Sequence, residues 1–298
     1  MRKHPVIFGM LLLIALGVIF YIFLFRAGSY SGKSKSFSLN DKIGVVNING
    51  IIHDSIDAVQ QLEDHGRDDS IVAVVLRIDS PGGGVAASQE IYDAVIELKK
   101  KKKVVASMGS VAASGGLLIA CSADKIVANS GTITGSISAI MQFANVEELL
   151  KKVGLKSSVV KSGKYKDIGS PLREMTPDER KIIQDLVDDI FNQFVDVIVR
   201  DRKISREKVI QIADGRVFSG RKAKEYGLVD QLGDMASAAR LASQLAGRDG
   251  KYELVYPRKK RASFFDYIFE SAANQLSRSL KEKAEGWGGV GYLYYPSM

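Results

Sequence analysis

A turn of small residues at positions 108–116, with the sequence MGSVAASGG, offers a nucleophile for covalent chemistry. Small residues let a backbone approach closely, so Ser114 can present its hydroxyl at the mouth of a cleft. Farther along the chain, the segment KSGKYKD contains Lys166, which could remove the proton of that hydroxyl. Lys161 and Lys164 of the same segment are alternative bases. A lysine acts as a base only in its neutral form, which burial favours, and such a pair predicts a hydrolase.

The histidines do not offer an obvious base for a Ser-His-Asp triad. The sequence contains three of them, His4, His53 and His65. His4 precedes a long hydrophobic segment, and His53 and His65 flank a short helix that we expect at the surface. The sequence therefore favours a Ser-Lys pair over a triad.

A second glycine cluster, IDSPGGG at positions 78–84, closes one predicted strand and opens a predicted helix at Val85. Glycine leaves backbone N–H groups free to point at a carbonyl oxygen near a helix N-terminus, which suits an oxyanion hole. Gly83 would provide one donor, and Gly115, directly after Ser114, the other. A plain strand-to-helix turn is the alternative. In a parallel sheet both turns emerge at the same edge, where sites form.

Short β-rich runs alternate with helical patterns after residue 40, which predicts an α/β fold with a parallel sheet and crossover helices. The predicted strands are 43–48, 72–78, 104–108, 126–128, 137–142 and 157–160. The predicted helices are 56–64, 85–100, 111–121, 146–153, a long helix beginning at Thr176, 206–213, 220–226 and 235–245. The long helix has Thr176, Pro177 and Glu179 in capping-box positions. Its apolar stripe indicates core or a subunit contact.

The N-terminus contains an uncharged run, Val6–Phe25, long enough to cross a bilayer as one helix. A cleaved signal peptide is the alternative, although its apolar region would be shorter. Flanking charges do not decide the orientation of this helix. We place the N-terminus in the cytoplasm because this orientation puts the catalytic domain outside it. The predicted organisation is a cytoplasmic stub and transmembrane anchor at 1–26, a linker at 27–40, a catalytic domain at 41–256, and an amphipathic helix with a flexible tail at 257–298.

Composition limits the classes of partner and chemistry. The chain has 298 residues, with 42 basic and 34 acidic side chains and a net charge of +8. The lysines form short runs without interleaved aromatic residues, which favours a surface near anionic lipid over nucleic acid. Cys121 is the only cysteine, so the chain has no internal disulfide. No cluster of His or Cys has metal-ligand spacing, and we expect neither a metal nor another cofactor.

The last residues, 286–298, read GWGGVGYLYYPSM after a predicted amphipathic helix within 265–280. This tail is too rich in glycine to fold alone, which predicts disorder. The alternative is an extended aromatic tail that lies in a hydrophobic substrate groove.

The order and spacing of five motifs resemble the bacterial signal peptide peptidases of the type-A serine kind, relatives of Clp protease and crotonase. The motifs are DSPGG at 79–83, MGSVAASGG at 108–116, ADKIVAN at 123–129, GTITGSI at 131–137 and SGKYKDIGSP at 162–171. The resemblance spans roughly 40–250. Leu117, Leu118, Ser130 and Ser138 depart from the family's common residues, and these departures bear on the shape of the specificity pocket and not on the Ser114–Lys166 pair.

The resemblance implies Ser114 as nucleophile, Lys166 as general base, Gly83 and Gly115 as oxyanion donors, and Ser136 as the hydroxyl that orients the lysine. It also implies a Clp protease/crotonase-like sheet preceded by one transmembrane helix. The family's function implies a homo-oligomer in the bacterial cytoplasmic membrane, with its catalytic domain outside the cytoplasm, that hydrolyses hydrophobic remnants of signal peptides. Two rival hypotheses are a crotonase-like enzyme that stabilises a thioester enolate and a non-catalytic membrane scaffold.

Overall fold

The computed structural model describes residues 16–17, 41–257 and 291–293. The chain divides into two units, Met1–Leu39 and Asn40–Met298, and the described residues of the first unit are helical. Within the described ranges, no helix has both the length and the apolar composition needed to cross a bilayer. The predicted anchor Val6–Phe25 lies outside these ranges except for positions 16–17, and the predicted helix within 265–280 lies wholly outside them.

A mostly parallel β-sheet lies at the centre of the second unit. The described strands are β1 (Asp41–Asn49), β2 (Ile71–Ser80), β3 (Gly82–Gly84), β4 (Lys103–Ala113), β5 (Lys125–Ala128), β6 (Ile133–Gly135), β7 (Val217–Ser219), β8 (Gln231–Leu232), β9 (Tyr252–Val255) and β10 (Gly291–Leu293). Eight of these form one sheet in the order β7-β6-β4-β2-β1-β9, with β5 paired to β4 and β8 paired to β5. Every pair in it is parallel except β6 with β7. Strands β3 and β10 pair with each other.

Helices connect the strands and confirm the predicted α/β class. The described helices after residue 40 are α1 (Ile56–Arg67), α2 (Val85–Lys99), α3 (Gly115–Cys121), α4 (Glu147–Lys152), α5 (Pro177–Arg202), α6 (Arg206–Ile212), α7 (Gly220–Glu225) and α8 (Met235–Leu245). Helix α8 has the predicted bounds. Thr176 caps α5 as predicted, since its Oγ1 accepts from Glu179 N at 3.3 Å and its N–H donates to Glu179 Oε2 at 2.9 Å.

Hydrophobic side chains cover both faces of the sheet because successive residues of a strand point to opposite sides. On β2, Val74, Leu76 and Ile78 belong to the larger core cluster, which includes buried residues of α1, α2, α3 and α5. Ala73 and Val75 face the other way and pack with the alanines of α8. Strand β2 is therefore packed on both faces up to the corner that follows it.

Three sequence predictions are wrong, and the backbone explains two of them. The strand predicted at 137–142 is not formed apart from a bridge at Ile140, because positive φ angles at Gly135 and Ser136, +88° and +51°, turn the chain out of the sheet after β6. Residues 157–160 form no strand and are exposed. The helix predicted from 111 begins at 115, because Val111 to Ala113 extend β4 and pair with β6.

Candidate active site

Ser114 occupies the corner between β4 and α3. Its φ of +54° and ψ of −119° are unusual for a residue with a side chain, and such a conformation costs about 1–3 kcal/mol. Two hydrogen bonds hold the corner: Ser114 N donates to Gly135 O and Leu118 N donates to Ser114 O, each at 2.9 Å. A strand-to-helix turn of this kind projects the side chain from the end of the sheet.

The Ser114 hydroxyl is buried without a hydrogen-bond partner. The residue is 1 % exposed, and its Oγ makes no hydrogen bond with any described group. An unsatisfied buried hydroxyl costs about 1–3 kcal/mol. The fold therefore tolerates two unfavourable features at the same residue, which is typical of a functional site.

The two predicted oxyanion glycines lie against each other. A Cβ placed on Gly115 would be 3.4 Å from Gly83 N and 2.5 Å from Ser88 Oγ, so the start of α3 packs directly on β3. A Cβ on Gly83 would be 2.1 Å from Ile52 O, so no side chain fits there either. Close packing, against backbone at Gly83 and against the Ser88 side chain at Gly115, explains why both positions need glycine without a special φ.

Hydrogen bonds fix the corner between β2 and β3. Ser80 Oγ donates to Gly50 O at 2.6 Å and accepts from Gly82 N at 3.1 Å. Ser88 Oγ donates to Gly84 O at 2.9 Å. Sequence reasoning did not single out Ser80 or Ser88. The Ser-Pro pair before the glycines could have indicated this role of Ser80, because serine side chains often form hydrogen bonds to the backbone of such turns.

Asp79 joins the corner of β2 to strand β4. Its Oδ1 accepts from Val111 N at 3.0 Å, and a Cβ on Gly109 would lie 2.7 Å from its carboxyl carbon. The glycine of the MGS motif therefore makes room for this carboxylate. The sequence patterns did not indicate that Asp79 supports the site.

Ser136 lies at the same end of the sheet as Ser114. Gly135 pairs with Ala113, so the two serines each follow a paired residue on neighbouring strands. Ser136 is 6 % exposed, and its N–H donates to Arg216 O at 2.8 Å. The register of β4 and β6 thus brings Ser114 and Ser136 to the same end of the sheet, and the packing of Gly115 on Gly83 brings the two predicted glycines to the Ser114 corner.

Lys166 is not hydrogen-bonded to Ser114 in the single chain. It lies in an exposed turn, where its N–H donates to Gly163 O at 3.1 Å, and its side chain makes no hydrogen bond or ion pair with any described residue. The alternative bases are both occupied: Lys161 pairs with Asp167, and Lys164 pairs with Asp178 at 2.9 Å. The hydrogen bond to that carboxylate raises the pKa of Lys164, which disfavours its neutral form.

Arg173 ties the turn that contains Lys166 to the start of α5. Its Nε and Nη2 each donate to Asp167 at 2.9 Å, and its Nη1 donates to Glu179 Oε2 at 2.8 Å. The bonds from Arg173 lower the pKa of Asp167 below its usual range and the pKa of Glu179 to about 2. Glu179 is 3 % exposed and also caps α5. The position of the turn is therefore linked to one rigid helix.

Comparison with known proteins identifies two family models. The model of Peptidase family S49 matches residues 96–249, and the Clp protease model matches residues 38–147. The two matched ranges together contain the serine corner, both glycine turns and the lysine segment.

Curated relatives agree with these models. A candidate protease of Synechocystis sp. is 52 % identical over 59 % of this chain and 64 % of its own length. A candidate protease of Methanocaldococcus jannaschii is 40 % identical over 63 % of this chain and 60 % of its own length. A candidate signal peptide peptidase of Enterococcus faecium is 35 % identical over 65 % of this chain and 60 % of its own length. The chain thus spans less than two thirds of these relatives.

Proposed function

The chain belongs to peptidase family S49, and we propose that it is a membrane-anchored serine endopeptidase that hydrolyses hydrophobic peptides. The observation that carries the proposal is the buried, unpartnered Ser114 hydroxyl, which lies at a strained corner beside two closely packed glycine backbones. The strained φ and the unsatisfied hydroxyl both lower the stability of the fold. A nucleophile that must lie beside two backbone donors would explain why they are retained.

In the proposed reaction, the neutral amine of Lys166 takes the Ser114 proton as Oγ attacks the peptide carbonyl carbon. The N–H groups of Gly83 and Gly115 donate to the resulting oxyanion, and each such donor is worth about 3 kcal/mol in the transition state. The protonated lysine then gives its proton to the leaving amine, and an acyl-enzyme remains. Water attacks this ester with the lysine again as base, which releases the acid and restores Ser114. We assign Ser136 to orienting the lysine.

We propose that a neighbouring copy of the chain supplies Lys166. The lysine is exposed and unpaired in the single chain, whereas a base needs hydrogen-bond reach and a dry environment. Large apolar side chains are exposed on two stretches near Lys166 in the chain. They are Leu149, Val153, Leu155, Val159 and Val160 before the lysine, and Ile182 and Leu186 in the first half of α5. If two copies met through these apolar side chains, the contact would remove this surface from water. An exposed apolar surface of this kind supports the predicted homo-oligomer.

Mixing two inactive variants tests both the dyad and its assembly. Ser114→Ala and Lys166→Ala should each abolish hydrolysis of a hydrophobic peptide while the thermal unfolding midpoint is retained. Lys164→Ala is the matched control and should stay active. Co-expression of the two inactive variants should restore about a quarter of the sites in a random one-to-one mixture. If the mixture stays inactive, the lysine acts within its own chain; if Lys166→Ala is active alone, the dyad is wrong.

The membrane anchor and the substrate class complete the proposal. We propose that residues 1–26 form a cytoplasmic stub and a transmembrane anchor, followed by a linker at 27–40. The peptidase domain is 41–256, and 257–298 form an amphipathic helix with a flexible tail. We propose that the domain lies outside the cytoplasm. Its substrates would be signal-peptide remnants, a class that the name of the Enterococcus relative, a candidate signal peptide peptidase, supports. The full chain should remain in membranes after alkaline extraction, and a variant without 1–26 should be released. Release of the full chain would contradict anchoring.

A further inference from the structure

The segment that contains Lys166 is a series of linked turns, here called the lysine turn. Backbone hydrogen bonds of 3.0–3.1 Å close the turns 163–166, 165–168 and 167–170, each from the last residue's N–H to the first residue's carbonyl oxygen. Because these turns overlap, Gly169 and Lys166 belong to one hydrogen-bonded unit. A displacement of the backbone at Gly169 is therefore transmitted to the lysine.

The ring of Phe143 lies directly on Gly169. A Cβ placed on Gly169 would be 2.3 Å from Cε1 and 2.7 Å from Cδ1 of this ring. Gly169 also has a φ of +75°, a left-handed conformation that glycine adopts without steric cost. The ring and the backbone conformation therefore both require glycine at this position, three residues after Lys166.

Phe143 belongs to a segment that is fixed to the body of the domain. Ile137, six residues earlier, is buried in the larger core cluster, and Ala139 packs against that cluster. Three residues after Phe143, Val146 N donates to Pro171 O at 2.8 Å, which joins the same two segments a second time. Phe143 thus connects a segment anchored in the core to the lysine turn.

The Phe143 ring contributes little to the core. It is 40 % exposed and forms one wall of an open cleft of about 520 Å³, which Met175 also lines. Truncation of the ring should therefore leave the packing of the sheet intact. A side chain that the core does not need, but that presses on the lysine turn, is suited to hold that turn in place.

We propose that Phe143 is a positioning residue for Lys166. The inference rests on the proposed function and deepens it: the ring holds the turn where the lysine amine can reach the hydroxyl of Ser114. Phe143 acts on the turn of its own chain, so this role is the same whether the lysine serves its own site or that of a neighbouring copy. The bonds of Arg173 to Asp167 still restrain the turn when the ring is lost. We therefore expect a loss in rate of about 10–100-fold, the effect of a displacement of about 1 Å.

A double-mutant cycle with Lys166 tests this role. Phe143→Ala should lower kcat for a hydrophobic peptide, and the rate at which a fluorophosphonate labels Ser114, by about 10–100-fold with KM little changed. In a Lys166→Ala background the same substitution should change the residual labelling rate by less than about twofold, because no amine remains to be misplaced. Phe143→Tyr, which keeps the ring, and Gln142→Ala, at its exposed neighbour, should both label at the parent rate. Equal losses in the two backgrounds, or labelling of Phe143→Ala at the parent rate, would overturn the proposal.

A second cycle tests the contact between the ring and the turn. Gly169→Ala places a methyl group against the ring and should lower the labelling rate about 10–100-fold. In a Phe143→Ala background the methyl group meets no ring, so its further effect should be at most about threefold. Gly163→Ala is the matched control in the same turn and should label at the parent rate, since a Cβ there would meet no atom within 4 Å.

The two cycles separate failure of this inference from failure of the proposed function. Additive effects of Gly169→Ala and Phe143→Ala would overturn the role of the contact. If Lys166→Ala slows labelling but Phe143→Ala does not, the inference alone fails. If Lys166→Ala labels Ser114 at the parent rate, the proposed dyad fails, and the role of Phe143 fails with it.

Discussion

Replacement of Gly83 by alanine should inactivate the enzyme, whereas the same change at the next residue should not. A Cβ on Gly83 would lie 2.1 Å from the backbone oxygen of Ile52, while a Cβ on Gly84 would lie 3.6 Å from that oxygen, an ordinary contact. Because Ile52 O is a backbone atom that already accepts from Gly84 N, rotamer changes cannot relieve the clash. Strand β3 must therefore move by about 1 Å, which is sufficient to misplace an oxyanion donor.

The expected loss in kcat for Gly83→Ala is about 10²–10³-fold, since one oxyanion donor is worth about 3 kcal/mol. Overpacking should also lower the free energy of unfolding by about 1–3 kcal/mol. Peptide hydrolysis and thermal unfolding should be measured on both variants, with Gly84→Ala expected to stay within about twofold of the parent rate. Normal turnover by Gly83→Ala, or equal inactivation by Gly84→Ala, would refute the role of close packing at β3.

Three further substitutions test the nucleophile and two residues that support the site. Ser114→Ala should abolish hydrolysis yet leave unfolding stability unchanged or about 1 kcal/mol higher, because it removes an unsatisfied buried hydroxyl; a clear loss of stability in calorimetry would contradict this. Ser80→Ala should lower kcat by about tenfold and stability by about 1–2 kcal/mol, with partial rescue by Ser80→Thr, and an unaffected kcat would exclude a positioning role. Arg173→Ala should lower kcat/KM with little change in KM, whereas Arg180→Ala, on helix α5 and outside the ion-pair network, should leave kcat/KM unchanged. Since Arg173 lowers the pKa of Glu179 to about 2, the stabilisation it provides is fully present above about pH 4.3 and is lost as pH falls toward 2. The stability difference between parent and Arg173→Ala should therefore vanish in acid, and a constant difference would argue against the ion pair.

Local signals in the sequence predicted much of the fold. The capping residues around Thr176 and the helix at 235–245 depend on short-range bonds and periodicity, and both are confirmed. The alternation of strands and helices predicted the parallel sheet, because crossover connections leave few topologies. The turn that holds Ser114 was recognisable since small residues mark close backbone approach.

The remaining features depend on contacts that short-range patterns do not encode. Gly135 and Ser136 end β6 early through positive φ angles, and the apolar run after them resembles a strand only in composition. The pairing of Asp79 with Val111 joins residues far apart in the chain. The sequence suggested a base at Lys166, but periodicity cannot tell whether its partner lies in the same chain or in a neighbouring copy.

Covalent labelling of the serine tests the central claim most directly. A fluorophosphonate should modify Ser114 of the full-length protein, as located by mass spectrometry of its peptides. The labelling rate should fall by about 10²–10⁴-fold in Lys166→Ala, which is the usual contribution of a general base, and should be retained in Lys164→Ala. Labelling at another residue, or an unchanged rate in Lys166→Ala, would contradict the Ser114–Lys166 mechanism.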